Sequence, residues 1–115
     1  DPSVASSFSF NAGNFVLQAD EFIETHTRKL IMQSDGNLVL YNRLGTALWA
    51  SGTSGSNYYA TFQGNGNFVV YNANGNDKWK TETASKGESI NLQSNGNLVI
   101  RNANGTAKWS SGTAQ

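Results

Sequence analysis

One block recurs three times along the chain at a fixed spacing of thirty residues. QSDGNLVLYN, from Gln33 to Asn42, returns as QGNGNFVVYN from Gln63 and as QSNGNLVIRN from Gln93. The phase holds beyond the block, aligning Gly45 with Gly75 and Gly105, and Trp49 with Trp79 and Trp109. A unit this short cannot bury an apolar face by itself, so the copies must close a common core. At 115 residues with one proline, the chain is read as a single domain, 1–115, with repeats near 24–53, 54–83 and 84–113.

Within each copy apolar and polar residues alternate with period two, as in KLIMQ then NLVLY, YATFQ then NFVVY, and SINLQ then NLVIR. No stretch of helical length carries a helical period, which makes the class all-β. The alternation predicts a core of Leu30, Met32, Leu38 and Leu40, matched by Ala60, Phe62, Phe68 and Val70, then by Ile90, Leu92, Leu98 and Ile100. A third strand per copy carries the repeated Trp, with Leu48, Lys78 and Lys108 on its other side. The three indoles are expected to meet inside, near a pseudo-threefold axis, as structural core and not as a ligand platform. Upstream, NAGNFVLQ echoes the turn-then-strand form, with Phe10 where a Gln would stand. It predicts a structural strand pair without the polar residues.

The connections SDGN, GNGN and SNGN admit two registers. A two-residue mirror-image turn would set Gln33 opposite Leu38, facing the core. A three-residue loop, with Gly36 left-handed after a type I turn, instead pairs Gln33 with Asn37 and turns Gln33, Asn37, Val39 and Tyr41 outward. Core-facing glutamines in all three copies would be buried amides in need of partners. The three-residue loop is therefore expected.

Composition removes several function classes. Charged residues make up 14% of the chain and balance to zero, so no basic stripe exists to follow a phosphate backbone, and nucleic acid is not an expected partner. No apolar run approaches the ~20 residues of a membrane span, so no membrane insertion is expected. The start, DPSVASSFSF, lacks the flank and apolar centre of a signal peptide. The absence of cysteine excludes disulfides, thiolate metal sites and cysteine nucleophiles together.

The outward row combines a carboxylate (Asp35), two amides (Gln33, Asn37), a phenol (Tyr41) and a valine (Val39), a set suited to a neutral polyol. Oxygens accept from sugar hydroxyls, amide nitrogens and the phenol donate, and the valine covers a ring's C–H face. Hairpin closure alone explains the Asx-Gly pairs, but it does not require Gln four residues before Asn or Tyr four after it. An enzyme is the rival class. Glycosidases need two carboxylates across the bond, whereas each copy offers one acid at most. His26, within ETHTRK, lacks the partners of a catalytic base, so no catalytic residue, metal ligand or cofactor is expected.

Gln33, Asp35, Asn37, Val39 and Tyr41 spell Q-x-D-x-N-x-V-x-Y, and the chain thereby resembles the monocot, or bulb-type, mannose-binding lectins over nearly its whole length. LQADEFIE looks like that family's first subdomain. The resemblance implies a β-prism II fold, three four-stranded antiparallel sheets with pseudo-threefold symmetry, and one shallow, metal-independent sugar pocket per sheet. It implies Asp35 and Asn37 on the axial 2-hydroxyl of mannose, Gln33 on the 3-hydroxyl, Tyr41 on the 4-hydroxyl and Val39 against the ring carbons. The second copy matches through Gln63, Asn67, Val69 and Tyr71, with Asn65 replacing the acid; the third keeps Gln93, Asn97 and Val99, with Asn95 for the acid and Arg101 for the tyrosine. Losing the carboxylate removes charge assistance worth on the order of 1 kcal/mol, which orders the sites one, two, three. Many plant members carry a cysteine pair, and Gly36 stands at one of those positions. Mannose or mannose-rich glycans are the implied partners. A homodimer formed by exchange of the last strand is the implied assembly, for which the tail SSGTAQ is long enough. The alternative is a prism with lost or altered sugar specificity that acts through protein contacts or in defence.

Overall fold

The N-terminal echo does not form the expected strand pair. In the computed structural model, which describes residues 5–114, the chain ahead of the repeats forms β1 (Phe8–Asn11), β2 (Phe15–Leu17) and β3 (Phe22–Glu24), and each joins a different sheet. A tight turn, Asn14 N–H to Asn11 O at 3.0 Å, links β1 to β2 without pairing them. The reason lies in the repeats. Each supplies only three antiparallel strands and so leaves one edge uncovered: β4 (Arg28–Met32), β5 (Leu38–Asn42) and β6 (Ala47–Ala50); β7 (Tyr59–Phe62), β8 (Phe68–Tyr71) and β9 (Asp77–Lys80); β10 (Ser89–Leu92), β11 (Leu98–Arg101) and β12 (Ala107–Ser110).

The completed sheets run β3-β4-β5-β6, β2-β7-β8-β9 and β1-β10-β11-β12, all antiparallel, which is the β-prism II arrangement. Register puts Phe8 and Phe10 opposite Leu92 and Ile90, Phe15 and Leu17 opposite Phe62 and Ala60, and Ile23 opposite Leu30. Phe10 is thus half-buried against the core, where a glutamine would lack partners.

All twelve predicted core residues are buried, joined by Phe15 and Leu17. The indoles meet as predicted: ring centroids of Trp49, Trp79 and Trp109 lie 5.1, 5.5 and 5.7 Å apart, edge to face, the geometry favoured by the ring quadrupole. They are half-buried and pack against the core from one side. A run of aromatic contacts ties this cluster to the N-terminus, from Phe10 to Phe15 (4.5 Å), Phe68 (6.0 Å) and Trp79 (6.1 Å). A bulge repeated in each sheet sets Leu40 opposite Trp49 but Tyr41 opposite Ala47. The extra residue, Leu48, Lys78 or Lys108, is left outside the pairing and exposed.

The three-residue loops form as expected. Gln33 N–H donates to Asn37 O and Gly36 N–H to Gln33 O, both at 3.0 Å, with Gly36 at φ 89° and Gly66 and Gly96 at 89° and 92°. Each loop glycine also abuts the segment leading into the neighbouring sheet. A side chain at Gly36 would strike the backbone of Ser54 and Gly55, and one at Gly66 the backbone of Gly87. At the third junction Gly96 meets the guanidinium of Arg28, a buried cation 5% exposed. Arg28 donates to Gly96 O (3.1 Å), Thr113 O (2.8 Å) and Thr27 O (2.9 Å), so the charge is compensated by carbonyl dipoles. It ties the first repeat to the third.

Gly66 and Gly75 share a left-handed φ (89° and 82°), but only Gly66 is crowded. Gly75→Ala is expected to cost about 1 kcal/mol for the backbone alone, and Gly66→Ala about 3 kcal/mol or more because the junction must also open. Urea denaturation of the two variants measures the difference.

Candidate functional site

The outward row is built by β4, the three-residue loop and β5, whose alternation sends Gln33, Asn37, Val39 and Tyr41 to the face opposite the core. Asp35 sits at the loop tip. It is exposed, while Gln33, Asn37 and Tyr41 are half-buried. In the first sheet these side chains are bonded to one another. Tyr41 OH donates to Gln33 Oε1, and Gln33 Nε2 donates to both carboxylate oxygens of Asp35 at 3.1 Å. Asp35 Oδ1 also accepts from Asn37 N–H at 2.9 Å. The Asn37 N–H first, and the Gln33 amide second, hold the Asp35 carboxyl below its ordinary value of 3.8.

The second sheet repeats the geometry with one reversal. Asn65 Oδ1 accepts from Asn67 N–H at 3.0 Å, but Asn65 makes no bond to Gln63, whose Nε2 now donates to the oxygen of Tyr71. A carboxylate in the loop pulls the glutamine NH₂ toward itself and leaves its oxygen for the phenol. Without that charge the amide turns over, so the Tyr71 hydroxyl accepts from its glutamine whereas the Tyr41 hydroxyl donates to its own. In the third sheet Asn95 Oδ1 accepts from Asn97 N–H at 3.0 Å, while Arg101 Nη1 donates to Gly105 O at 3.0 Å within its own hairpin. The Gln93 side chain has no bonded partner corresponding to the tyrosine.

Two features of the row bear on the roles expected of individual residues. Val39, Val69 and Val99 lie on the outward face but are only 3%, 2% and 3% exposed. Val39 is hemmed in by its cross-strand neighbours Ile31 and Ala50 and by Asn37 and Tyr41 on either side, so it forms a floor more than a contact surface. The side-chain oxygen of each Asn is already engaged. Asn37 Oδ1 accepts from Gly52 N–H (3.0 Å) and the Ser51 hydroxyl (3.4 Å), Asn67 Oδ1 from Thr83 N–H and the Thr81 hydroxyl (both 3.2 Å). Asn97 Oδ1 accepts from the Ser111 hydroxyl (3.0 Å) and from Gly112 and Thr113 N–H (3.1 and 3.2 Å). Only the amide nitrogen remains for a ligand.

The partners of these asparagines were not singled out from the sequence, although the signal was present. SGT at Ser51–Thr53, TET at Thr81–Thr83 and SGT at Ser111–Thr113 recur at the same spacing as the main block. Their second hydroxyls, on Thr53, Thr83 and Thr113, donate to Gly36, Gly66 and Gly96 O at 2.5, 2.6 and 2.7 Å. Each site thus rests on a belt of hydroxyls that also holds the crowded glycine.

Beside the first row lies a cleft of about 610 Å³ lined by Gln33 and Tyr41 together with Glu24, His26, Lys29, Ile31 and Arg43. Asp35 and Asn37 stand outside that lining. The third row borders a cleft of about 410 Å³, where Ser7, Phe8 and Ser9 flank Gln93, Asn95 and Arg101.

Among solved structures, a monomeric monocot mannose-binding lectin from Gastrodia elata is similar to this chain at 37% identity, covering 93% of it and 98% of that lectin, with a TM-score of 0.82. The chain belongs to the monocot, bulb-type mannose-binding lectin family. Other members align along comparable lengths. The Polygonatum cyrtonema lectin, solved with a monomannoside, is 34% identical over 92% of this chain and 96% of its own, at a TM-score of 0.71. The snowdrop (Galanthus nivalis) agglutinin, solved with methyl-α-D-mannoside, is 33% identical over 93% and 97%, at 0.74. Scans with protein-family models and among curated proteins found no match. Within this bulb-type lectin, the backbone at Gly36 closes directly on Gly55.

Asn67→Ala is expected to cost about 1–3 kcal/mol, because it removes the acceptor of the buried Thr83 N–H. Asn65→Ala, at the exposed loop tip, should cost about 1 kcal/mol or less. Thermal unfolding of both variants separates the supporting asparagine from the exposed one.

Proposed function

We propose that the chain is a lectin for mannose-containing glycans and that its principal pocket is the first row, working without a metal and without catalysis. The observation that carries this reading is the bonded series Tyr41–Gln33–Asp35 on an open sheet face. It fixes acceptor and donor directions before a sugar arrives, which lowers the ordering cost of binding. Asp35 accepts from the axial 2-hydroxyl and Asn37 donates to it through its amide nitrogen. Gln33 meets the 3-hydroxyl and Tyr41 the 4-hydroxyl, above the floor made by Val39. The shared family with lectins solved in complex with mannosides supports the same reading.

The second pocket, with Gln63, Asn65, Asn67, Val69 and Tyr71, binds more weakly for want of the carboxylate. The third, with Gln93, Asn95, Asn97 and Val99, is weakest because Arg101 is turned to its own hairpin. An open site making about four such bonds, each in exchange for one to water, has a Kd of roughly millimolar. Useful avidity then comes from branched glycans that engage several pockets together.

Calorimetric titration with methyl α-mannoside should show Asp35→Ala losing most of the binding, and Asn65→Asp strengthening the second pocket by about threefold or more. Unchanged affinity in Asp35→Ala would refute the ranking. A labelled oligomannoside should be retained at full length, where a hydrolase would shorten it. Because the Asp35 pKa is lowered, both affinity and the carboxylate's contribution to stability persist above its ordinary value of 3.8 and fall only as pH drops through the depressed one. Titrations at pH 7, 5 and about 3 read this directly.

A further inference from the structure

The first pocket differs from its two copies in what surrounds it. Lys29, the direct cross-strand neighbour of Tyr41, is replaced by Tyr59 and Ser89 at the equivalent positions, and Arg43 by Ala73 and Ala103. Both cations line the cleft that Gln33 and Tyr41 open into. Neither is in an ion pair, since the single one among the described residues joins Lys80 to Asp77. The Lys29 ammonium is steadied 4.2 Å above the ring of Phe22. The third cation of the lining, Arg28, is unlike these, being bound to three backbone carbonyls. Glu24 is the one acid, placed across from Lys29 on β3. On a chain of zero formal net charge, the cleft therefore has a positive excess beside the only row that keeps its aspartate.

We propose that this cleft is a subsite for an anionic group carried on the mannoside held by the first row, with Lys29 and Arg43 as its cationic walls. The proposal rests on the mannose reading above. In a pyranose, the carbon bearing the 2-hydroxyl lies across the ring from the one bearing the exocyclic carbon. A sugar with its 2-hydroxyl at Asp35 and Asn37 therefore directs its far edge past Tyr41 and into the cleft. A phosphate or carboxylate on that edge meets two cations outside any ion pair; the second row has Tyr59 and Ala73 at their positions, and beside the third the nearby cation, Arg101, donates to Gly105 O.

The test compares methyl α-mannoside, mannose 6-phosphate and methyl α-mannosiduronate by calorimetry, the last two separating phosphate from carboxylate as the source of charge. At low ionic strength the anionic sugars should bind about fivefold tighter than the neutral one, with the advantage falling as salt is raised to about 0.5 M. Arg43→Gln and Lys29→Gln should each lower the ratio of anionic to neutral affinity, and Glu24→Gln should raise it. Equal or weaker binding of both anionic sugars, with methyl α-mannoside still bound, would overturn the subsite alone. If methyl α-mannoside itself does not bind, the mannose reading falls and the subsite with it.

Discussion

The structure depends on how each hairpin loop is fastened to its neighbour. A loop glycine with left-handed backbone is pressed against the entry to the next sheet, and the asparagine beside it draws in a hydroxyl and backbone N–H groups from the belt that follows β6, β9 or β12. Around Asn67 these groups are buried and water cannot replace the ties, so there the polar ties and the core must form together. At two junctions backbone meets backbone; at the third the guanidinium of Arg28 takes that place. Symmetry of the chain is thus completed by an asymmetric residue where the first repeat meets the last.

The same fastening prepares the outward face. With its oxygen engaged from behind, Asn37 can present only a donor, and with its N–H bound to Asp35, the loop tip is fixed as an acceptor. The polarity of the row then follows from one side chain. Asp35 orients Gln33, which orients Tyr41; exchanging the acid for Asn65 reverses the bond between Gln63 and Tyr71. Copies that look alike in sequence differ in which hydrogens they offer.

Much of this could be read from residue order. The thirty-residue phase, the alternation and the cost of burying glutamine led to three repeats of three strands, the twelve core positions, the indole cluster and the three-residue loops, while the three four-stranded sheets were implied by the family resemblance. What escaped was of another kind. NAGNFVLQ looked like a local strand pair because a turn joins its halves, but Phe8, Phe10, Phe15 and Leu17 find their apolar partners on three-stranded repeats far along the chain. The role of SGT and TET depends on a contact across a closed junction, and the bulge at Leu48, Lys78 and Lys108 on sheet twist. Both share the thirty-residue period, but the period alone does not say what the residues touch. Burial of Val39 likewise reflects the neighbours Ile31 and Ala50, which belong to strands on either side of it.

Sharing the first three strands among three sheets has a consequence for biogenesis. On the ribosome, Phe8 emerges long before Leu92, the residue it must face, and Phe15 before Phe62. Nascent β1 and β2 therefore have no native edge to join while the repeats are still being made, and the aromatic side chains they carry need shielding from other chains in the meantime. The strands that seal the prism appear before the repeats they join, so cooperative folding waits until the third repeat has been made.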